Sequence, residues 1–263
     1  MSFQPVIPLG GLAGWSFLTR TQDRQQASFA EAPAMRNAVA YFRDRFDQIT
    51  SAQDLVSDRR VLRVVLGAFG LQDDLDSRAL IRKVIEDGVS APRALANRLT
   101  DKRYGALARA MQHLAPDATQ PAGSGLRDQI IAQYQARSFE QAVGEQDQSM
   151  RIAMNLQREL PQLLEDYSTE NARWFALLGN PPLRKALETA LGLPREFAAL
   201  DVDQQVTRLQ AATRRQFGAE KMGDLAAPDA LEKLTQRFLV MSEIKSFQNT
   251  ISPASVALTL LRG

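Results

Sequence analysis

The chain has 263 residues, of which 44% are hydrophobic, with 32 basic and 30 acidic side chains and a net charge of +2, one histidine and no cysteine. That length supplies one large or two smaller hydrophobic cores. The cysteine count excludes disulfides, thiol nucleophiles and thiolate metal sites, and the interspersed, balanced charges disfavour a general nucleic-acid binder, which needs clustered Lys and Arg.

Residues 1–20 do not read as a signal peptide, because they lack a basic start and Pro5, Pro8, Gly10 and Gly11 break their apolar run. No window reaches the roughly 18 uninterrupted apolar residues of a membrane span. A soluble, cytoplasmic chain without a membrane span is therefore expected. Gly10-Gly11 with Gly14 is not a phosphate loop, since it lacks the Gly-Lys-Ser/Thr ending. Trp15, Phe17 and Leu18 read as core.

From there the pattern is helical. Met35, Val39, Phe42, Phe46 and Ile49 step by 4, 3, 4 and 3, which places them on one helix face behind Pro33. Ser51 with Asp54 has the spacing of an N-terminal cap. Asp58 caps the next helix, which stops at Gly70 after Phe69. Ser77 opens another through Leu80, Ile81, Val84 and Ile85 to Gly88, Pro92 starts a short one, and Thr100 caps one carrying Leu107, Met111 and Leu114. Residues 115–125, APDATQPAGSG, form a connecting loop. A long helical stretch follows from Leu126 to Tyr167, with Gly144 and Pro161 as candidate interruptions. Pro181 and Pro182 open a helix ending at Gly192, Asp203 opens one ending near Gly218, and Pro228 opens a long one carrying Leu231, Leu234, Phe238 and Met241. The apolar residues between Ser255 and Leu261 read as a small terminal helix. The fold class is therefore all-α, a multi-helix array.

A gap-free shift of 122 residues brings two segments into register. Asp58 falls on Asn180, Val61 on Leu183, Val65 on Leu187, and Ala68-Phe69-Gly70-Leu71 on Ala190-Leu191-Gly192-Leu193. A shared order of cap, apolar face and glycine stop is expected of an internal duplication, although capped amphipathic helices also resemble one another by construction. The expected organisation is two related helical halves, 1–114 and 126–263, joined by 115–125.

Several stretches occur together: Gly14-Trp15 with Phe17-Leu18, Tyr41-Phe42-Arg43, Asp58-Arg59-Arg60, Ala68-Phe69-Gly70-Leu71, Ala96-Asn97-Arg98-Leu99 with Asp101-Lys102-Arg103-Tyr104, Ala142-Val143-Gly144-Glu145-Gln146 with Arg151-Ile152-Ala153, and Gly192-Leu193-Pro194. Between Gly14 and Val240 the chain thereby resembles a family of bacterial helical proteins of unknown function whose members are often encoded among flagellar genes. The resemblance implies a context, motility, and no chemistry.

Candidate sites are few. His113 stands alone, so no histidine metal cluster or Ser–His–acid set is available, and a charge at a helix C-terminus or plain exposure accounts for it. Asp73, Asp74 and Asp76 precede the Ser77 helix, where its dipole favours acids; the spacing of a calcium loop is missing. Asp58-Arg59-Arg60 and Asp101-Lys102-Arg103-Tyr104 read as caps and ion pairs rather than as a polar interaction surface, and Arg208, Arg214 and Arg215 as a solvated basic helix face. No catalytic, cofactor or metal residue is assigned. The apolar ends remain: residues 6–12, and Val256, Leu258, Leu260 and Leu261. They suit contact with a protein partner or a second copy of the chain. The expected function is that of a non-enzymatic structural or protein-interaction protein, with an association to flagellar assembly or regulation implied by the resemblance. The alternative is an enzyme whose carboxylate site is assembled from distant residues.

Overall fold

A computed structural model describes residues 3–119 and 121–250. Among them are fourteen α-helices, three short 3-10 turns and no strand. The tail residues Val256, Leu258, Leu260 and Leu261 lie outside the described residues. The helices fall into two compact units: residues 1–6 with 20–145, and residues 7–19 with 146–263.

The first unit holds the second part of α1 (Gly11–Ala30), then α2 (Pro33–Phe46), α3 (Ala52–Ser57), α4 (Arg59–Ala68), α5 (Arg78–Asp87), α6 (Leu95–Arg98), α7 (Arg103–Ala110) and α8 (Leu126–Gly144). Its centre is α4, which is buried on every side but one and packs on α2, α3 and α8. Gly67 makes the α4–α8 approach possible: a Cβ there would come within 2.7 Å of the Tyr134 ring. Phe29 of α1 stands edge-on to Phe139 of α8, with ring centroids 5.7 Å apart.

The division between units differs from the expected one. α8 packs on α4 and so belongs with the N-terminal unit, although it follows the loop 115–125. The boundary falls instead where Asp147 caps a new helix, its carboxylate accepting from the amides of Ser149 and Met150. Residues 7–19 also group with the second unit, not the first.

The second unit comprises the start of α1 together with α9 (Gln148–Asp166), α10 (Glu170–Leu178), α11 (Pro181–Ala190), α12 (Val202–Phe217), α13 (Met222–Ala226) and α14 (Pro228–Thr250). Pro161 lies inside α9 without ending it. α11 is the centre here and packs on α9, α10 and α14.

The neighbourhoods of α4 and α11 run in the same order. α2, α3 and α8 surround the one; α9, α10 and α14 surround the other, and α3 meets α5 as α10 meets α12. Asp58 accepts from the Val61 amide and Asn180 from the Leu183 amide. Both helices end in a Schellman closure. The Leu71 amide donates to Leu66 at 2.8 Å and the Leu193 amide to Glu188 at 2.9 Å, over Gly70 at φ +71° and Gly192 at φ +65°. All of these atoms are 122 residues apart.

Candidate functional site

Three polar groups built from residues singled out in the sequence hold helices together. Asp58 accepts from the amides of Arg60 at 3.0 Å and Val61 at 3.1 Å, and from the Tyr41 hydroxyl at 2.9 Å, with Arg45 at 3.6 Å. Burial opposes its ionisation, but the Val61 amide, Tyr41, the Arg60 amide and Arg45 together hold its carboxyl below the usual range. Arg60 lies over the Tyr41 ring at 3.6 Å, and Arg59 pairs with Asp76 at 2.6 Å. In the second group Arg103 donates to both oxygens of Asp101 and to the Gly70 carbonyl, which ties the end of α4 to the start of α7. In the third, the Tyr104 hydroxyl donates to Asp74 at 2.9 Å; burial first and then Asp74 push the phenol up to about 12. Asp74 and Asp76 thus answer to Tyr104 and Arg59, and the Ser77 side chain makes no cap bond to the α5 that follows it. Arg214 lies 3.5 Å from Glu220 in an exposed pair.

His113 is not exposed, and it stands just past the C-terminus of α7, with a backbone hydrogen bond at Ala110. It sits half-buried in a 3-10 turn with its ring edge-on to Phe46, at 6.2 Å between centroids. Burial holds its pKa below the ordinary 6.5, despite an opposing backbone hydrogen bond at Ala110. The folded chain therefore resists a proton that the unfolded chain accepts. Stability is expected to decline as pH falls from about 6.5 toward the depressed folded value, and His113→Gln should flatten that part of the profile. Urea titrations of both proteins between pH 5 and 7.5 check this; identical slopes would refute it.

Two of the three glycines of the N-terminal run, Gly11 and Gly14, serve close packing. Glu243 of α14 occupies the space that a side chain on Gly11 would need, and the Leu9 carbonyl does so at Gly14. Of the three residues expected in the core, Trp15 and Leu18 are buried and Phe17 is half-buried. Among the described residues, no group of three or more His, Asp or Glu is placed to hold a metal ion.

What the second unit does present is apolar surface. Leu9 is 60% exposed, Leu12 43%, Val240 37%, Ile244 42% and Phe247 66%. On a helix of 3.6 residues per turn, Val240, Ile244 and Phe247 lie within an arc of about 60°. Glu243 borders that arc and lies against Gly11, which falls between the exposed Leu9 and Leu12 in sequence. The buried side chains of α14, Leu231, Leu234, Thr235, Phe238 and Leu239, all precede Val240. Sequence reading followed the core face through Leu231, Leu234, Phe238 and Met241 and passed over this second stripe, whose 4-then-3 spacing was the available signal.

Residues 68–231, more than half of the chain, match the family described as "Protein of unknown function (DUF1217)". The chain belongs to the DUF1217 family. The DUF1217 match ends at the first turns of α14, so Val240, Ile244 and Phe247 lie beyond it, and Leu9 and Leu12 precede it. The crystal structure of protein AGR_C_984 from Agrobacterium tumefaciens is similar over 92% of this chain and 99% of that one, with a TM-score of 0.74 and 23% identity. At that identity the likeness establishes a shared all-α fold and nothing about activity. No curated protein matches the chain.

Proposed function

We propose that this DUF1217 chain is a non-enzymatic protein-interaction protein acting in flagellar assembly or regulation. It contacts a protein partner or a second copy through apolar surface at its two ends. The observation that carries the reading is the exposed stripe Val240, Ile244 and Phe247 on α14, with Leu9 and Leu12 exposed at the start of the chain. Isolated exposed apolar residues need no explanation, whereas three on one face of a helix, with two more exposed at the start of the chain, support a contact surface. Three carboxylates of the first unit, Asp58, Asp74 and Asp101, are engaged in capping and pairing. The flagellar context is supported by the family resemblance alone.

Ile244→Asp with Phe247→Asp is expected to leave the melting temperature within about 2 °C, since exposed positions rarely exceed about 0.5 kcal/mol. Association, read by light scattering and by capture of flagellar components from a motile host, should weaken by about tenfold or more. Unchanged association in a folded variant overturns the reading. A gene deletion that leaves swimming in soft agar unaltered overturns its flagellar part.

The same reading covers the architecture. We infer that the two units descend from one duplicated helical unit, on the support of the 122-residue register of caps, closures and neighbours around α4 and α11.

A further inference from the structure

Residues 3–6 lie on α1 as a short arm that is held by its backbone. The side-chain oxygen of Gln25 accepts from the Val6 amide at 2.7 Å, and its side-chain nitrogen donates to the Val6 carbonyl at 3.2 Å and to the Thr21 hydroxyl at 2.8 Å. A residue in a neighbouring β-strand would exchange the same two bonds with Val6, so the contact reads an extended backbone and not a side chain. The Val6 side chain accordingly stays out, with the residue 56% exposed. Side-chain selection falls to Phe3, whose ring stands edge-on to Phe29 at 6.0 Å between centroids, and to the buried Pro5. Gln25 is itself buried, and Thr21 fixes its amide. Thr21, Gln25 and Phe29 therefore make a site for an extended segment that carries an aromatic ring and, two residues on, a proline.

The connection between the arm and α1 is short. The Leu9 carbonyl lies against Gly14, and Gln25 leans back one turn to Thr21 to meet Val6. Along a helix the seven residues from Gly14 to Thr21 span about 10.5 Å, and the three links from Val6 to Leu9 reach at most about 10–11 Å. Residues 6–9, which include Pro8, thus have no slack. A tether at the limit of its reach lowers the effective concentration of the arm at its own site. A second copy offers an identical site without that restraint, and short, taut hinges invite the exchange of a segment between copies.

We propose that residues 3–6 exchange between two copies of this chain, each arm lying on Thr21, Gln25 and Phe29 of the other copy in a closed two-fold dimer. The exchange gives the second-copy contact of the proposed function a defined form and rests on that reading, but it uses different residues from the α14 stripe.

Light scattering of the full chain over a concentration series up to about 1 mM tests it, the range in which tethered and free arms compete. The parent is compared with an insertion of Gly-Ser-Gly-Ser between Ile7 and Pro8, with Gln25→Ala, and with Ile244→Asp plus Phe247→Asp. Circular dichroism and melting temperature establish that each is folded. The expected result is a parent dimer whose association constant falls by about tenfold or more in the insertion, because slack returns each arm to its own site, and likewise in Gln25→Ala, which lacks the backbone clamp. A dimer that either of these folded variants leaves unchanged, or strengthens, overturns the exchange, as does a chain that stays monomeric throughout. Association that responds to the α14 substitutions alone overturns the exchange and leaves the proposed function standing. Association that responds to the insertion and to Gln25→Ala alone supports the exchange and removes the α14 stripe from the contact.

Discussion

Replacing Trp174 with alanine is expected to cost about 3–5 kcal/mol, which lowers the melting temperature by roughly 10 °C or more. Trp174 is the largest fully buried side chain among the described residues, at 1% exposure, and it sits on α10, which packs on α9, α11 and α12. Truncation leaves a cavity that the surrounding packed side chains close only in part. The indole Nε1 has no hydrogen-bond partner among the described residues, so the loss is one of packing alone. Trp174→Phe should accordingly be mild, within about 1.5 kcal/mol, because it retains most of the ring volume and removes a buried unpaired donor. Denaturant melts of the two variants check the pair. A phenylalanine as damaging as alanine would show that the N–H matters and that the packing account is wrong.

The second large effect is expected at Asp58. Alanine there removes the cap of α4, the acceptor of the Tyr41 hydroxyl and the partner of Arg45 in one step. A cap alone contributes about 1 kcal/mol, and stranding the half-buried Tyr41 raises the expected cost to about 2–3 kcal/mol. At the matching position Asn180 caps α11 through one bond to the Leu183 amide at 3.4 Å. Asn180→Ala should cost nearer 1 kcal/mol. The two variants also differ in pH dependence. The folded pKa of Asp58 is depressed, so its contribution is present above the ordinary value of 3.8 and is lost as pH falls through the folded value. The gap between the parent protein and Asp58→Ala should therefore narrow in acid, whereas the gap for Asn180→Ala should not follow that titration. Urea midpoints at pH 7 and pH 3 decide it. A constant Asp58 gap would mean that the carboxylate charge contributes nothing to the cap.

The interaction reading gains its physical sense from where the apolar side chains lie. The buried side chains of α14 stop at Leu239, Met241 still reaches Gly192, and the helix continues to Thr250 with Ile244 and Phe247 exposed. A helix that outruns its own core needs a reason to stay apolar, and a contact surface supplies one. That surface lies outside the span matched to the family, beside a segment from the start of the chain.

The sequence by itself determined the helical class and the punctuation of most helices. Ser51, Asp58, Gly70, Asn180, Gly192 and Gly218 are caps and stops whose chemistry is local, so no tertiary information was needed to find them. Where the cap was misplaced, a neighbour acted instead: α7 begins after Lys102 rather than Thr100, and Asp201, not Asp203, caps α12. α1 was not legible as a helix. Three glycines crowd its start, and its buried residues Trp15 and Leu18 serve one unit while Gln25 and the ring of Phe29 serve the other, so no single apolar face repeats along it. α10 and α13 were also missed, being short. Only the tertiary structure decided that α8 belongs with the first unit, because that choice rests on the close approach of Tyr134 to Gly67, which no periodicity encodes. It also decided which apolar residues stay outside: Val240, Ile244 and Phe247 differ from Leu231, Leu234 and Phe238 in nothing but the direction they face once α14 is laid against α9 and α11.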